Sequence, residues 1–148
     1  EFIILLFCNG ATVLSAQIDE AVEVLRKDEK LDSACTVSSY DMWSPLRAKK
    51  IDDNGKLVPF VPLEIFGDNV TCDRGSQGQT WYADCSTFVV RPKCMLKKNG
   101  DVPFTWLGRN IHPIKQWGGL DIDYNWQIPV VEFWLKSHGF SEKQTPYD

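Results

Sequence analysis

The stretch FIILLFCNGATVLSAQIDEAVEVLRK, residues 2–27, decides the fold that this chain is expected to adopt. Residues 3–7 are apolar at every position, a pattern typical of a strand that is buried on both faces in a parallel sheet between helices. An Asn-Gly pair at 9–10 then predicts a turn, and Ser15 predicts the N-cap of a helix. We therefore expect a central parallel strand, a turn and a helix in succession, as in α/β proteins.

The predicted helix is amphipathic and leads into a second strand. Ala21 and Leu25 mark its apolar face, whereas acidic residues come early and basic residues late, which suits the helix dipole. Residues 34–40 favour a strand, so the three elements predict a βαβ unit with a right-handed crossover. A central first strand needs neighbours on both sides, which only later residues could supply here. We therefore expect an N-terminal portion of the natural protein to precede residue 1.

Residues 41–84 differ in character from the stretches on either side. The segments 48–51 and 56–59 flank Asp52-Asp53-Asn54-Gly55, which predicts a β-hairpin, and prolines and glycines make the remainder rich in loops. We expect this segment to be an excursion from the sheet. Downstream, the pattern predicts strands at 87–90 and 111–115, a helical turn at 94–98, and a last helix at 126–138 with Pro129 in its first turn and Gly139 as its stop.

Composition limits the classes of protein that the chain can belong to. Its 148 residues, 43% hydrophobic and 24% charged with a net charge of −4, suit one α/β domain over residues 1–148, with a mostly parallel sheet flanked by helices. The acidic balance disfavours nucleic-acid binding, and no apolar run approaches the roughly 20 residues that cross a bilayer. Five scattered cysteines predict reduced thiols in a cytoplasmic protein, and the apolar opening lacks the basic leader of a signal peptide.

Asp121-Ile122-Asp123 is the sharpest candidate site in the sequence. On an extended segment alternate side chains point the same way, so both carboxylates would face one side and Ile122 the core. Two converging carboxylates can hold Mg²⁺, which binds few protein oxygens and keeps places for waters and phosphates. The alternative is that Asp123 or Asn125 caps the last helix.

Basic and aromatic residues give two weaker signals. Arg47 lies beside the predicted hairpin, and Arg74 lies in a glycine-rich loop. Such charges are either solvated or capture an anionic ligand, because the guanidinium fork matches a carboxylate or phosphate. The six tryptophans could stack on sugars, although their scatter favours a packing role. The chain has no glycine-rich phosphate loop.

Three motifs in register resemble the cytidylyltransferases that activate sialic and related nonulosonic acids, the CMP-sialic acid synthetase-like family. The first strand and the helix with Ile18-Asp19-Glu20-Ala21 resemble that family's strand, QPTSPLR-like loop and IDEA helix. Residues 44–52, SPLRAKKID, resemble its SPxxAKKID segment, and Leu120-Asp121-Ile122-Asp123 resembles its IDID motif. The resemblance implies the later part of an enzyme with a Rossmann-like nucleotidyltransferase fold.

The resemblance also implies a reaction and the residues that serve it. The reaction is transfer of CMP from CTP to an acidic sugar with release of pyrophosphate, in a homodimer whose contact lies in residues 41–84. Asp121 and Asp123 would bind Mg²⁺ as the cofactor. Arg47 and Arg74 would reach into the partner subunit's site and meet the sugar carboxylate. Asp84, which falls where the family has the Asn of an NGAIY strand, is a further substrate-binding candidate.

The sequence departs from the family pattern in two places. Phe7 and Val13 stand where the family's loop has Gln and Arg, so the expected sugar pocket loses polar contacts. The family's N-terminal loop that cradles CTP has no counterpart here, and we expect this chain alone to lack CTP-dependent activity. Two other interpretations stay open: a nucleotidyltransferase of the same fold for another nucleotide or sugar, and a non-catalytic binding or dimerisation module.

Overall fold

The computed structural model describes residues 1–40 and 43–147, except the side chain of Arg74. The described chain forms two compact units, Glu1–Ser38 with Ala83–Asp148 (the main unit) and Ser39–Tyr82 (the small unit). The strands are β1 Ile3–Leu5, β2 Ser33–Ser38, β3 Lys49–Ile51, β4 Leu57–Pro59, β5 Tyr82–Val90 and β6 Ile111–Gln116. The α-helices are α1 Ser15–Lys27, α2 Arg74–Gln77, α3 Pro92–Lys97 and α4 Ile128–Ser137.

The main unit is built on a mixed four-stranded sheet in the order β1-β5-β2-β6. Strands β2 and β6 run parallel, with Thr36 opposite Ile114, whereas β1 and β5 run antiparallel, with Ile4 opposite Val89. The predicted α/β class is confirmed, but the prediction of a mostly parallel sheet is wrong for the described strands. The parallel pair is β2 and β6, and the chain between these two strands includes the whole of β5.

The prediction that the first strand is central and buried on both faces is wrong. β1 lies at the edge of the described sheet, and Ile4 and Leu6 are each 46% exposed. The apolar run was sufficient to predict a strand, but the position of that strand in the sheet depends on which distant segment pairs with it. The pairing with β5, more than 80 residues along the chain, leaves no local trace in residues 3–7.

Helix α1 packs its apolar face against the sheet, as its periodicity predicts. Ala21 and Leu25 are fully buried against Ala34, Val89 and Ile114. Burial of such aliphatic side chains contributes about 1.5–3 kcal/mol each, so this cluster anchors the helix.

The N-terminus of α1 is capped differently from the prediction. Ser15 is the first helical residue and Leu14 is the N-cap. The Leu14 backbone N–H donates to Gln17 Oε1 at 3.3 Å. Ser15 was therefore the wrong N-cap: the helix begins at Ser15 itself, and the N-cap backbone N–H of Leu14 is bonded by the Gln17 side chain.

Helix α4 completes the main unit after a short 3-10 turn, Asn125–Gln127. Trp134 is 1% exposed, and its indole Nε1–H donates to the Trp117 carbonyl at 2.7 Å. Pro129 lies in the first turn and Gly139, at φ 85°, ends the helix, so both predictions are confirmed. None of the described helices is both long enough and apolar enough to cross a lipid bilayer.

The small unit contains the predicted hairpin. Strands β3 and β4 pair antiparallel with Ile51 opposite Leu57, around the turn at residues 52–55. Asp52 organises this turn, because its Oδ1 accepts from the backbone N–H groups of Asn54 and Lys56 at 2.9 and 2.8 Å. The unit nearly coincides with the predicted excursion, of which residues 41–42 lie outside the described part.

Candidate functional site

Three segments of the main unit meet at the carboxyl ends of the parallel strands β2 and β6. They are the turn at residues 9–12, the start of β5 at 84–86, and the loop at 117–123 that follows β6. Ligands of α/β proteins bind outside the carboxyl ends of parallel strands, so this is where a site is expected.

The candidate metal ligands lie on a segment that is tied to the first turn, with Asp121 in an isolated β-bridge and Asp123 at a bend. Asp121 bridges Gly10 in antiparallel fashion, and the Ile122 backbone N–H donates to the Asn9 carbonyl at 2.9 Å. The Asn9 side-chain amide donates to Asp123 Oδ1 at 3.2 Å. The backbone between the two carboxylates is therefore fixed, and Asn9 orients the second of them.

The alternative in which Asp123 or Asn125 caps the last helix is wrong. Gln127 is the N-cap residue of α4, and its Oε1 accepts from the backbone N–H groups of Asp123 and Tyr124, ahead of the helix, at 2.7 and 2.6 Å. The N-cap of the 3-10 turn is Tyr124. Neither Asp121 nor Asp123 is used in tying down the closing helix, so both carboxylates remain candidates for ligand binding.

Asp84 lies beneath this surface at the centre of a polar network. Its carboxylate is 6% exposed and accepts four hydrogen bonds. The hydroxyls of Thr36 and Ser38 donate at 2.7 Å each, the Gln116 amide donates at 2.8 Å, and the Ser86 backbone N–H donates at 3.2 Å. Because the carboxylate is buried and surrounded by donors from three strands, the described contacts give it a positioning role. Direct contact with substrate stays a prediction.

The same network holds the loop that carries the candidate metal ligands. Ser38 Oγ accepts from the Gly119 backbone N–H at 3.0 Å, and Thr12 Oγ1 accepts from the Leu120 backbone N–H at 3.0 Å. The hydroxyls of Thr12 and Ser86 are hydrogen-bonded to each other at 2.6 Å. The backbone just ahead of Asp121 is therefore bonded to the hydroxyls of Ser38 and Thr12. Ser38 is in turn bonded to Asp84, and Thr12 is bonded to Ser86.

Glycine is required at position 119 by the closeness of this network. A Cβ there would collide with Asp84 Oδ2 and Gln116 Nε2. Gln116 is in turn fixed by Gln17, whose amide donates to Gln116 Oε1 at 2.7 Å. Helix α1, strand β6 and the 117–123 loop therefore meet without space for one further carbon.

The carboxylates make this cluster electronegative. Their charges add to the effect of burial on the pKa of the nearby thiols. Burial, and after it the charges of Asp121, Asp84 and Asp123, raises the pKa of the Cys85 thiol to about 11. Burial and the Asp84 charge raise the pKa of Cys35 to about 12. Both side chains stay neutral thiols near pH 7 and are unsuited to act as nucleophiles. The described ion pairs lie elsewhere: Arg26–Glu23, Lys93–Asp32, Arg109–Asp101 and Lys136–Glu132.

Cys85 also has an unusual backbone conformation. Its φ of 63° lies in the left-handed region, which a residue with a side chain adopts only at a cost. The conformation occurs between Asp84 and Ser86, the two β5 residues that join the network. The carbonyl of Cys85 also comes within 2.9 Å of the position that a Cβ on Gly10 would occupy. The strain therefore lies where the three segments meet.

The residues present fit a Mg²⁺ site that a ligand completes. Two carboxylates two positions apart on a segment held by the first turn, with no arginine or lysine bonded to them among the described ion pairs, are a suitable donor set for a hard cation. Within residues 1–40 and 43–147, no three His, Cys, Asp or Glu side chains form a group that could hold a metal by themselves. Mg²⁺ commonly takes its remaining ligands from water and substrate phosphates, so two carboxylates are sufficient.

The two predicted arginines belong to the small unit and are described there. Arg47 is exposed and lines a cavity of about 400 Å³ together with Trp43, Phe60 and Tyr82. An arginine at the edge of an aromatic cavity suits an anionic ligand. Arg74 is the first residue of α2, and its side chain lies outside the described part.

Of the four strand residues in the network that supports the site, only Asp84 was predicted from the sequence, through the family resemblance. Thr36 and Ser38 alternate along β2, and Asp84 and Ser86 alternate along β5, so each pair lies on one face of its strand. All four are buried. Polar residues at every second position of an otherwise apolar strand are the signal that could have identified them.

No protein-family model matches this chain, and no curated protein matches it.

Proposed function

We propose that this chain belongs to a magnesium-dependent cytidylyltransferase that transfers CMP from CTP to an acidic, nonulosonic-type sugar and releases pyrophosphate. The single observation that carries the proposal is the pair Asp121 and Asp123, fixed by the 9–10 turn and not used in capping α4. Two carboxylates at the carboxyl ends of parallel strands are well placed to hold a metal–nucleotide complex.

In this proposal each residue of the main unit has a distinct task. Asp121 and Asp123 hold Mg²⁺, and the bound ion supplies neutralisation of phosphate charge. Asn9 orients Asp123 through its amide. Asp84 positions the loop through Ser38. Cys85 remains a neutral thiol and leaves the carboxylates as the charged groups of the site.

The small unit supplies the sugar-binding cations and the homodimer contact in this proposal. Arg47 offers a guanidinium fork to the sugar carboxylate, and Arg74 is proposed to serve the same group. The hairpin supports the contact between two copies of the chain, because Ile51 and Leu57 are each 73% exposed. A two-stranded hairpin is only marginally stable by itself, and cover by a second copy would stabilise it.

Phe7 supports a second candidate, a nucleotidyltransferase of the same type that acts on another sugar or nucleotide. Its ring packs edge-on against Phe88 at 5.6 Å between centroids, and Phe88 in turn contacts Phe104 and Trp106. This side chain contributes to an aromatic cluster where the resembling family has a polar Gln. A screen of sugar acids and nucleoside triphosphates with the natural enzyme separates the two candidates.

The metal site is tested by titrating the ¹⁵N-labelled chain with Mn²⁺ in the presence of CMP and following paramagnetic broadening by NMR. We expect the amide signals of Gly10 and Ile122 to broaden first. Asp121→Asn and Asp123→Asn should each weaken this effect at least tenfold, because each removes a charged ligand. In the full-length natural enzyme the same substitutions should lower kcat by about 100-fold.

The matched control is Asp101→Asn, which removes an exposed carboxylate paired with Arg109 at 3.8 Å in the same unit. Its broadening profile should equal that of the unsubstituted chain. Equal Mn²⁺ affinity in the Asp121, Asp123 and Asp101 variants would overturn the metal role and with it the proposed function.

A further inference from the structure

The small unit contains a second cavity, of about 380 Å³, whose described lining carries no charged side chain. Ser39, Tyr40, Trp43, Gln77 and Gln79 are among the residues that line it. A volume of this order accommodates a small organic ligand. The cavity lies wholly within residues 39–82, so its geometry is independent of the main unit.

Trp43 presents a fixed aromatic face to this cavity. Its ring packs against Tyr40 at 4.3 Å between centroids and meets Tyr82 edge-on at 6.3 Å. Its backbone N–H donates to the Tyr40 carbonyl at 2.8 Å, and the Tyr82 hydroxyl donates to the Trp43 carbonyl at 2.6 Å. Trp43 is still 42% exposed, so this side chain, although fixed by its neighbours, keeps much of its aromatic surface accessible to a ligand.

Uncharged polar groups surround this platform. The Gln77 amide donates to the Thr71 carbonyl at 3.0 Å, which fixes the side chain while Gln77 Oε1 accepts no described hydrogen bond. Ser44 Oγ accepts from the Leu46 backbone N–H at 3.3 Å and keeps its own hydrogen to donate. Gln79 is exposed and adds a second amide. The wall therefore offers both donors and acceptors around one aromatic surface.

We propose that this cavity binds the pyranose ring of a neutral hexose or N-acetylhexosamine, with one C–H face of the sugar on Trp43. A pyranose has an apolar face and hydroxyls around its rim, and the cavity has an aromatic platform and uncharged polar groups around it. An ionised ligand would lose its hydration here without a described countercharge on the wall. A nucleobase would also stack on an aromatic side chain, so cytidine and adenosine are included in the test below.

The inference does not rest on the proposed function. The carboxylates of the metal site lie in the main unit, and the sugar site uses residues of the small unit alone. Binding of a neutral sugar would persist in the Asp121→Asn variant, and Mn²⁺ binding would persist in the Trp43→Ala variant. The two sites can therefore fail separately.

The test is saturation-transfer NMR of the full chain with methyl glucoside, methyl galactoside and N-acetylglucosamine, and with cytidine and adenosine, at millimolar concentration. Trp43→Ala should abolish the sugar signal, Trp43→Phe should retain part of it, and Gln79→Ala should reduce it severalfold without removing a buried group. The matched control is Trp126→Ala, because Trp126 is also exposed, at 61%, but lies in the main unit. This variant should bind as the unsubstituted chain does.

Two results would overturn the inference. One is a sugar signal that is absent from the unsubstituted chain or unchanged in both Trp43→Ala and Gln79→Ala. The other is a signal confined to cytidine or adenosine, or to a sugar acid whose signal survives Arg47→Ala, since either would assign the cavity to another class of ligand; Arg47→Ala is needed because the Arg47 cavity shares Trp43 and Ser44 with this one. Gln79→Ala keeps the test decisive if Trp43→Ala unfolds the small unit, because Gln79 is exposed.

Discussion

At the scale of single residues, Asp84 links the sheet to the candidate site. Its carboxylate accepts hydrogen bonds from β2, β5 and β6, and Ser38 passes the connection to the loop that carries Asp121. Removing a buried acceptor leaves its donors without partners, which costs more than the net contribution of the bonds themselves. The position should therefore matter to stability whether or not the enzyme proposal holds.

We expect Asp84→Ala to lower the free energy of unfolding by about 3 kcal/mol, since three side-chain donors and one backbone N–H lose their partner in a buried site. Urea denaturation followed by circular dichroism measures the change. Asp53→Ala, at an exposed position of the hairpin turn, should change the free energy by less than about 0.5 kcal/mol. Equal effects of the two substitutions would contradict the network.

The thiol of Cys85 provides a prediction about pH. Because its pKa is raised to about 11, only about one thiol in a thousand is ionised at pH 8. We expect iodoacetamide to modify Cys85 at least 100-fold more slowly than the exposed Cys72 at pH 8, with the Cys85 rate still rising above pH 10. Pulsed alkylation with mass spectrometry measures both rates, and similar rates at pH 8 would contradict the burial and charge described for Cys85.

The same shift has a consequence for stability. The folded state keeps the Cys85 proton more tightly than the unfolded chain, whose thiol has the ordinary pKa of 9.0. The stabilisation is therefore fully present below pH 9 and is lost as the pH rises from 9 through 11. Cys35 acts in the same direction, with a pKa of about 12. Alkaline unfolding should begin in this window.

At the scale of secondary-structure elements, the local pattern predicted what depends on local interactions. Helix α1, the hairpin and α4 follow from periodicity, a turn signal and a proline in the first helical turn, all contained in the segments themselves. The sheet position of β1 could not be predicted in this way, because its antiparallel pairing with Val90 is set by residues far along the chain. The sequence alone predicted the elements better than their arrangement.

The candidate site shows the same division. Asp121 and Asp123 could be identified because two carboxylates at alternate positions form a local motif. The hydroxyls that hold them could not, since Thr12, Ser38 and Ser86 come from three segments that meet only in the folded chain. Single hydroxyls are common in loops and at strand ends. These three support the site because they bond to one another or to Asp84.

Position 119 tests how tightly the loop after β6 is packed against the network. We expect Gly119→Ala to destabilise the chain by about 2 kcal/mol and to weaken Mn²⁺ binding, because the added methyl displaces Asp84 or Gln116. Urea denaturation and the Mn²⁺ titration measure the two effects. In the control, Gly75→Ala, the new methyl would lie 3.7 Å from the Asp73 side chain, an ordinary contact, and no effect on Mn²⁺ is expected.

At the scale of the whole molecule, the apolar surface of the small unit is the feature that the folded chain leaves unexplained. Phe60 and Ile65 are 65% and 71% exposed, in addition to Ile51 and Leu57 of the hairpin. The main unit also exposes large apolar residues such as Leu96 and Phe133, so exposure alone does not single out the small unit, and the resemblance of residues 44–52 to a segment of a dimeric family is what places the proposed contact there. The proposed occupant is a second copy of this chain.

We therefore expect the chain to have about twice its monomer mass of 16.9 kDa by light scattering at micromolar concentration. Leu57→Glu should weaken the dimer by about 30-fold, since it places an uncompensated charge in the proposed contact. Leu96→Glu is the matched control, because Leu96 is 85% exposed on α3 of the main unit, outside that contact. Dissociation by Leu96→Glu alone, or a monomer in the absence of any substitution, would place the contact elsewhere or remove it. Loss of the dimer in Leu57→Glu but not in Leu96→Glu would show that the hairpin forms the contact between two copies of the chain.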